Sequence, residues 1–223
     1  MPVDFDTQAF RFPFYRVTRF DEVQLAADLA ALGDVRPMAA DAKAPAGNVA
    51  MTHGLMRLGF RKVCMQITLR HDLAAPDEIP ASEVRIAGRL GLGEEIVRAH
   101  ARNFTKDRFS LDPLLPGEGR YRLYHQWLRN SLGGAKQVAH IGPNLCTFSR
   151  RGDDVVIDLI SILEQRRGYG ARIIGAVVEY ARHTGAASVR VTTECENAAA
   201  WSLYLRKGFV PEAYTSAFHL VLI

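Results

Sequence analysis

The sequence predicts an α/β protein with a mixed, largely antiparallel sheet flanked by helices. Two observations in its second half carry that prediction. Lys136–His140, Leu145–Arg150 and Val155–Ile162 are three consecutive strand-like runs. They are joined by the short turns Gly142-Pro143-Asn144 and Arg151-Gly152-Asp153-Asp154, which suit antiparallel neighbours. Beyond them helix-period and strand-period segments alternate: helix Ala171–His183, strand Ser188–Thr193, helix Ala198–Lys207 and strand Phe218–Ile223.

The remaining elements follow in order. Phe14–Phe20 reads as a strand, and Asp21–Leu32 as a helix with an Asp cap. Pro37–Gly47, rich in Ala, Pro and Asp, reads as a loop. Val49–Leu58 reads as a helix closed by Gly59, and Phe60–Leu69 as a strand with Val63, Met65, Ile67 and Leu69 on one face. His71–Ser82, with Pro76 and Pro80, reads as a linker. A short strand Glu83–Ile86, an amphipathic helix Glu94–Asn103, an irregular stretch Phe104–Glu118 and a helix Gly119–Leu132 complete the chain. The division expected is a small N-terminal α/β lobe at 1–80 and a main domain at 81–223. The helix, glycine, phenylalanine, strand order of Gly54–Leu69 echoes that of Trp201–Leu222. It reads either as a truncated copy of the same fold or as an ordinary glycine-ended turn.

Composition narrows the function. A chain of 223 residues that is 48% hydrophobic can bury a sizeable core. A net charge of +4, with Arg far outnumbering Lys, suits small anionic ligands. No basic run of five, zinc-finger spacing or ribonucleoprotein motif argues for nucleic acid. Cys64, Cys146 and Cys195 lack metal-ligand spacing and read as free thiols of a reducing, cytoplasmic compartment. No apolar run approaches membrane-spanning length, so no membrane insertion is expected.

The most informative local feature is Gln165-Arg166-Arg167-Gly168-Tyr169-Gly170, between the strand at Val155–Ile162 and the helix from Ala171. A glycine-rich turn at a helix start exposes backbone N–H groups at the positive end of the helix dipole, an arrangement that binds phosphate. The turn lacks the three glycines of a dinucleotide fingerprint and the Lys-Ser/Thr of a P-loop. The second feature is Asn197-Ala198-Ala199-Ala200-Trp201-Ser202-Leu203-Tyr204-Leu205-Arg206-Lys207-Gly208-Phe209. Asn197 reads as the cap of that helix, and Tyr204 lies two turns on.

Together these motifs resemble the GCN5-related N-acetyltransferase (GNAT) superfamily. Gln165, Gly168 and Gly170 match its Q/R-x-x-G-x-G/A pyrophosphate loop, and Asn197, Ala200, Tyr204, Gly208 and Phe209 match N-x-x-A-x-x-x-Y-x-x-x-G-F. The link Ile162-Leu163-Glu164 is shorter than in many members and lacks their Pro. The middle of the chain, Asp107-Arg108-Phe109-Ser110-Leu111-Asp112-Pro113 and then Tyr121–Ser131, looks like the TDP-fucosamine (dTDP-4-amino-4,6-dideoxygalactose) N-acetyltransferase branch. The resemblance implies acetyl-CoA as cofactor, bound by Gln165, Arg166, Arg167, Gly168, Tyr169, Gly170 and Ala171. It implies a pantetheine arm along Ile160, Ser161 and Ile162, with Asn197 beside it, and Tyr204 as general acid. Arg108, Phe109, Asp112, Tyr121 and Tyr124 become candidates for the acceptor pocket. Asp158, Glu194, Glu196, His140 and His125 are base candidates by type alone. The activity implied is acetyl transfer to the amine of a nucleotide-linked 4-amino-4,6-dideoxy sugar, by a homodimer. An amino acid, peptide or polyamine acceptor is the alternative, as is a non-catalytic acyl-CoA-binding module.

Overall fold

The computed structural model describes residues 1–73 and 83–223. The expected division at 80/81, and most of the linker His71–Ser82, lie outside the described residues. Among those residues one mixed nine-stranded sheet runs through the molecule. Its strands are β1 (Phe14–Arg16), β2 (Met38–Pro45), β3 (Arg61–Asp72), β4 (Arg85–Ala87), β5 (Gln137–Ile141), β6 (Asn144–Arg151), β7 (Asp154–Ser161), β8 (Ser188–Glu194) and β9 (Val210–Leu222), in the order β1-β2-β9-β3-β8-β7-β6-β5-β4. The helices are α1 (Asp4–Phe10), α2 (Glu22–Ala31), α3 (Val49–Arg57), α4 (Glu94–Asn103), α5 (Gly117–Asn130), α6 (Tyr169–His183) and α7 (Ala198–Arg206), with a π-type turn at Ser131–Ala135.

Helix α1 is not anticipated in the sequence, β1 ends at Arg16 rather than Phe20, β3 runs on to Asp72, and two further differences shape the sheet. The loop expected at Pro37–Gly47 contains β2, which pairs with β1 on one side and β9 on the other. Its Ala-rich sequence has weak strand propensity, and ladder pairing with packing overrides it. Strand β9 begins eight residues before the expected Phe218. Pro211 is tolerated there because β9 pairs with β2 only from Thr215 onward, which leaves one edge free at Pro211.

Three apolar clusters hold the layers. Phe10, Phe14, Val97, Phe109, Leu123, Leu128 and Leu159 fill one face under α1, α4 and α5. Ile67, Leu69, Phe148, Ile174, Val177, Tyr204 and Phe209 fill the other under α6 and α7. Met38, Ala42, Leu55, Phe60 and Phe218 continue that second face under α2 and α3. Alternation across each strand sends Asp41, Lys43, Gln66 and Glu194 to the first face, because strand neighbours point to opposite sides.

The register of the central strands has an internal two-fold relation. Residues 149 apart are equivalent: Asn48 and Asn197, Arg57 and Arg206, Gly59 and Gly208, Phe60 and Phe209. Under that offset the pair Ala39–Val221 exchanges with Asp72–Ser188, and Gln66–Thr215 maps onto itself. The two bulges, at Val63 in β3 and Glu212 in β9, also exchange. β1 lies parallel to β2 as β7 lies parallel to β8. The first half thus repeats β7-α6-β8-α7-β9 in shortened form as β1-α2-β2-α3-β3. It differs where chemistry is expected: Leu55 stands at the place of Tyr204, and Asp21 at the start of α2, where the other half has its glycine turn.

Candidate active site

β7 and β8 pair only from Asp154–Ser188 to Ile157–Val191. Beyond that point they splay, while β7 stays paired with β6 as far as Ser161. The edge of β7 from Asp158 to Ser161 that faces β8 is therefore left without a ladder partner, so its backbone is open to a ligand that can hydrogen-bond in strand fashion. Ile160, Ser161 and Ile162 lie along this edge. The end of β7 is held firmly from the first face. His100, fully buried, has its Nε2–H donating to the Pro143 carbonyl at 2.8 Å. Burial holds its pKa down, so Nδ1 is left to accept from Ser161 Oγ at 2.8 Å. Asn103 Nδ2 donates to the same Oγ at 3.0 Å.

The glycine turn follows directly. Glu164 N–H donates to Asn144 Oδ1 at 3.0 Å. Among the described residues, the N–H groups of Gln165, Arg166, Arg167 and Gly168 donate to no protein acceptor. Arg166 and Gly168 hold left-handed φ values of 62° and 75°. Arg166, lacking glycine's freedom, is there at a cost of about 1 kcal/mol. Gly168 has open space where a Cβ would stand, so backbone approach is unobstructed. Gly170 serves packing instead: a Cβ there would meet Leu203 Cδ2 of α7 at 3.1 Å. Gln165, Arg166 and Arg167 are exposed, while Tyr169 and Ala171 are half-buried in the first turn of α6. A turn of undonated N–H groups at the N-terminus of a 15-residue helix, with the exposed Arg166 side chain beside it and Arg167 in a 3.9 Å ion pair with Glu164, fits a pyrophosphate.

Across the splay stand Glu194, at the end of β8, and Tyr204, on α7. Glu194 is 8% exposed. Its Oε1 accepts from Gln66 Nε2 at 2.9 Å and from Arg108 N–H at 3.2 Å. Burial first, then the neighbouring Asp107 charge, hold its carboxyl above the usual range against these hydrogen bonds. Tyr204 is 1% exposed, its ring 5.5 Å from Phe209. Its phenol is pushed well up by burial, and both Cys146 and the Glu194 charge add to that rise. It therefore stays protonated and able to donate. Asn197 was expected to cap α7. It occupies the N-cap position, but its side chain makes no capping hydrogen bond. Its equivalent Asn48 accepts from Met51 N–H at 3.0 Å. The Asn197 amide is thus left available beside the splay.

The acceptor candidates separate. Arg108 is tied to Asp41 by a short ion pair, and Arg16 closes on the same carboxylate at 2.9 Å. Phe109 is a core ring, stacked on His219 and lying under the Arg108 guanidinium. Asp112 is 1% exposed and accepts from Arg61 at 2.9 Å and from the Leu114 N–H at 3.0 Å; His219 Nδ1 lies 2.9 Å from its other oxygen. Tyr124 is buried, stacked on Phe104, and its phenol is raised by burial and then by Asp107 and Glu194. Tyr121 stands apart, in a surface cavity of about 250 Å³ with Arg102, Thr105 and Arg120. Only Arg108 and Tyr124 come near Glu194. Among the base candidates, Asp158 is committed to Lys136 and Arg151, and His125 to Glu94. Asp41, Lys43 and Gln66, which sequence reasoning missed, reach the site only through cross-sheet register.

The profile of the acetyltransferase (GNAT) family matches residues 147–209, the segment from β6 through α7 to Phe209. No curated protein matches the sequence. A GCN5-related N-acetyltransferase from Sphaerobacter thermophilus superposes with TM-score 0.57 at 16% identity, over 87% of this chain and 64% of that one. The chain thus spans under two thirds of that protein's length. A conserved protein of unknown function from Staphylococcus epidermidis gives TM-score 0.64 at 16% identity, over 98% and 89%. A tandem GNAT protein from the clavulanic acid biosynthesis pathway gives 0.55 at 14%, over 89% and 69%. The chain carries the GNAT fold, and its residues 147–209 match the profile of the acetyltransferase (GNAT) family.

Proposed function

We propose that this protein transfers an acyl group, most simply acetyl, from acyl-CoA to an amine by direct attack in a ternary complex. The observation that carries the reading is a single juxtaposition. An unpaired β7 edge runs into a turn of undonated N–H groups, and a buried carboxylate and a buried phenol flank the same splay.

Bound acetyl-CoA supplies the acetyl group as a thioester with a thiolate leaving group. Gln165, Arg166, Arg167 and Gly168, with Tyr169 and Ala171 in the first turn of α6, would bind the pyrophosphate, Gly170 letting that turn pack against Leu203, and the Ile160–Ile162 edge with Asn197 would align the pantetheine arm. Glu194, with its proton affinity raised by burial, takes the proton of the incoming ammonium or amine. Tyr204 keeps its proton until the leaving sulfur needs it. Gln66 Nε2 and the Arg108 N–H orient Glu194, leaving its second oxygen for the amine.

For the acceptor, the reading carried forward is a nucleotide-linked 4-amino-4,6-dideoxy sugar, supported by the residue pattern Asp107–Tyr124 and by the cations around Asp41. The setting proposed is cytoplasmic, in keeping with three free thiols. Residues 81–223 act as the catalytic part, with 1–80 as a supporting lobe. A homodimer is part of the same reading. Thiol release from acetyl-CoA with the sugar nucleotide, set against a panel of amino acids and polyamines, tests the acceptor class. Release confined to the panel would discard the sugar and keep the acyl transfer.

A further inference from the structure

The first face of the sheet brings residues of the N-terminal half into the candidate site. Register places Pro45, Thr215, Gln66 and Glu194 in one row across β2, β9, β3 and β8, with Lys43, Ala217 and Cys64 in the next row on the same face. Three strand spacings of about 4.8 Å, roughly 15 Å, separate the backbones of β2 and β8. A lysine side chain spans part of that distance.

The charges on this face are unevenly committed. Asp41 is buried and bound by both Arg108 and Arg16, and Arg16 also reaches Asp6 at 3.2 Å. Asp107 is used by the Phe109 and Ser110 N–H groups at 2.9 and 3.1 Å. Lys43 makes no ion pair among the described residues. It is reachable from solvent, yet crowding by surrounding protein and the Arg108 charge, with Arg16, hold its ammonium below the usual range, and the Asp41 charge, then that of Glu194, acts on it in the opposite sense. Arg16 and Arg108 are both taken up by Asp41, whereas Lys43 makes no ion pair among the described residues, and burial raises the proton affinity of Asp6. Lys43 is thus an exposed cation on the same face as Glu194, whose hydrogen bonds from Gln66 and Arg108 both fall on Oε1.

We infer that Lys43, on the N-terminal half, is the specificity residue of the acceptor site: it pairs with an anionic group, carboxylate or phosphate, that the acceptor carries several bonds from the amine directed at Glu194. The inference rests on the acyl-transfer reading of the same site. It moves anion recognition from Arg108, which Asp41 occupies, to Lys43. Arg108 then acts as a positioning residue, since its N–H holds Glu194.

The test titrates CoA-loaded protein by calorimetry with matched amines. 6-Aminohexanoate is set against hexylamine, and glucosamine 6-phosphate against glucosamine, with wild type, Lys43→Gln and Lys43→Arg. Tenfold or tighter binding of one anion-bearing member over its neutral partner is expected, lost in Lys43→Gln and retained in Lys43→Arg. The pair that shows the preference identifies the anion. No preference in either pair, or a preference that survives in Lys43→Gln, overturns the inference. A separate titration with acetyl-CoA reports on the acyl-transfer reading: failure there sinks that reading, whereas intact CoA binding with no anion preference sinks only the role of Lys43.

Discussion

Replacing Glu194 by Gln isolates the proposed base with little change of shape. The Gln carbonyl can still accept from Gln66 Nε2 and the Arg108 N–H, which now lie 2.9 and 3.2 Å from Oε1. Burial raises the folded-state pKa of Glu194 above its ordinary value of 4.5, so ionising it opposes folding. Stability from this group is full below about 4.5 and is lost as pH rises through the higher folded pKa. A permanently neutral Gln escapes that loss, and the variant should be at least as stable as wild type at pH 8. The rate should fall about 10²–10⁴-fold, the span of a positioned general base. The assay is kcat/KM for thiol release between pH 5 and 9. The acceptor's own amine contributes a rising limb to both proteins, so the ratio of wild type to variant carries the Glu194 titration. That ratio should climb with pH through the raised pKa and then level. A variant within threefold of wild type at pH 8, or a ratio flat in pH, would refute the role.

Other consequences are as direct. Tyr204→Phe should lower kcat at least tenfold while leaving acetyl-CoA binding by calorimetry unchanged, because the lost hydroxyl acts on the leaving sulfur alone. Gly168→Asp should weaken acetyl-CoA binding tenfold or more, about 1.4 kcal/mol. A Cβ there meets nothing within 4 Å, but Asp at the 75° φ carries left-handed strain of about 1 kcal/mol, so Tm should fall by about 2–4 °C, and the loss of binding should read as charge repulsion. Calorimetry should find one acetyl-CoA per chain, since the repeated half has Leu55 and Asp21 where the cofactor half has Tyr204 and its glycine turn. Asp112→Ala should cost about 2–3 kcal/mol by orphaning buried His219, a fall of roughly 5–10 °C in Tm. Asp112 and His219 both have lowered pKa values, His219 from 6.5 chiefly by burial. The Asp112 contribution is present above about 3.8 and is lost as pH falls further, whereas the His219 contribution is lost as pH falls below about 6.5; because Asp112 raises the His219 pKa, its removal lowers that pKa further, so below about 6.5 the Tm of the variant should fall more steeply with acid than that of wild type.

What the sequence disclosed was local. Glu94–Asn103 was legible to the residue because its apolar stripe and acidic first turn have helical period. The glycine turn and Tyr204 were legible because each is a compact motif. β2 was not, because Met-Ala-Ala-Asp-Ala-Lys-Ala-Pro has few residues that prefer strands and owes its form to β1 and β9. The two-fold relation left a faint mark in Gly59-Phe60 and Gly208-Phe209, but its content lies in pairings between residues more than 100 positions apart. For the same reason Glu194 could not be ranked above Asp158. Which side each strand residue faces depends on the bulge at Asp158 in β7, where Thr147–Leu159 is followed by Phe148–Ile157. Phe109 and Asp112 sit in an irregular stretch whose sequence gives no sign of being core.

The most direct test of the account is free thiol released from acetyl-CoA by the wild-type protein across the amine panel, with acetyl-CoA binding measured on the same preparation. The account predicts binding together with amine-dependent release, matched mole for mole by acetylated amine and proportional to protein. Tight binding with no release above the amine-free background for any acceptor would contradict it, leaving a domain that holds acyl-CoA without transferring its acyl group.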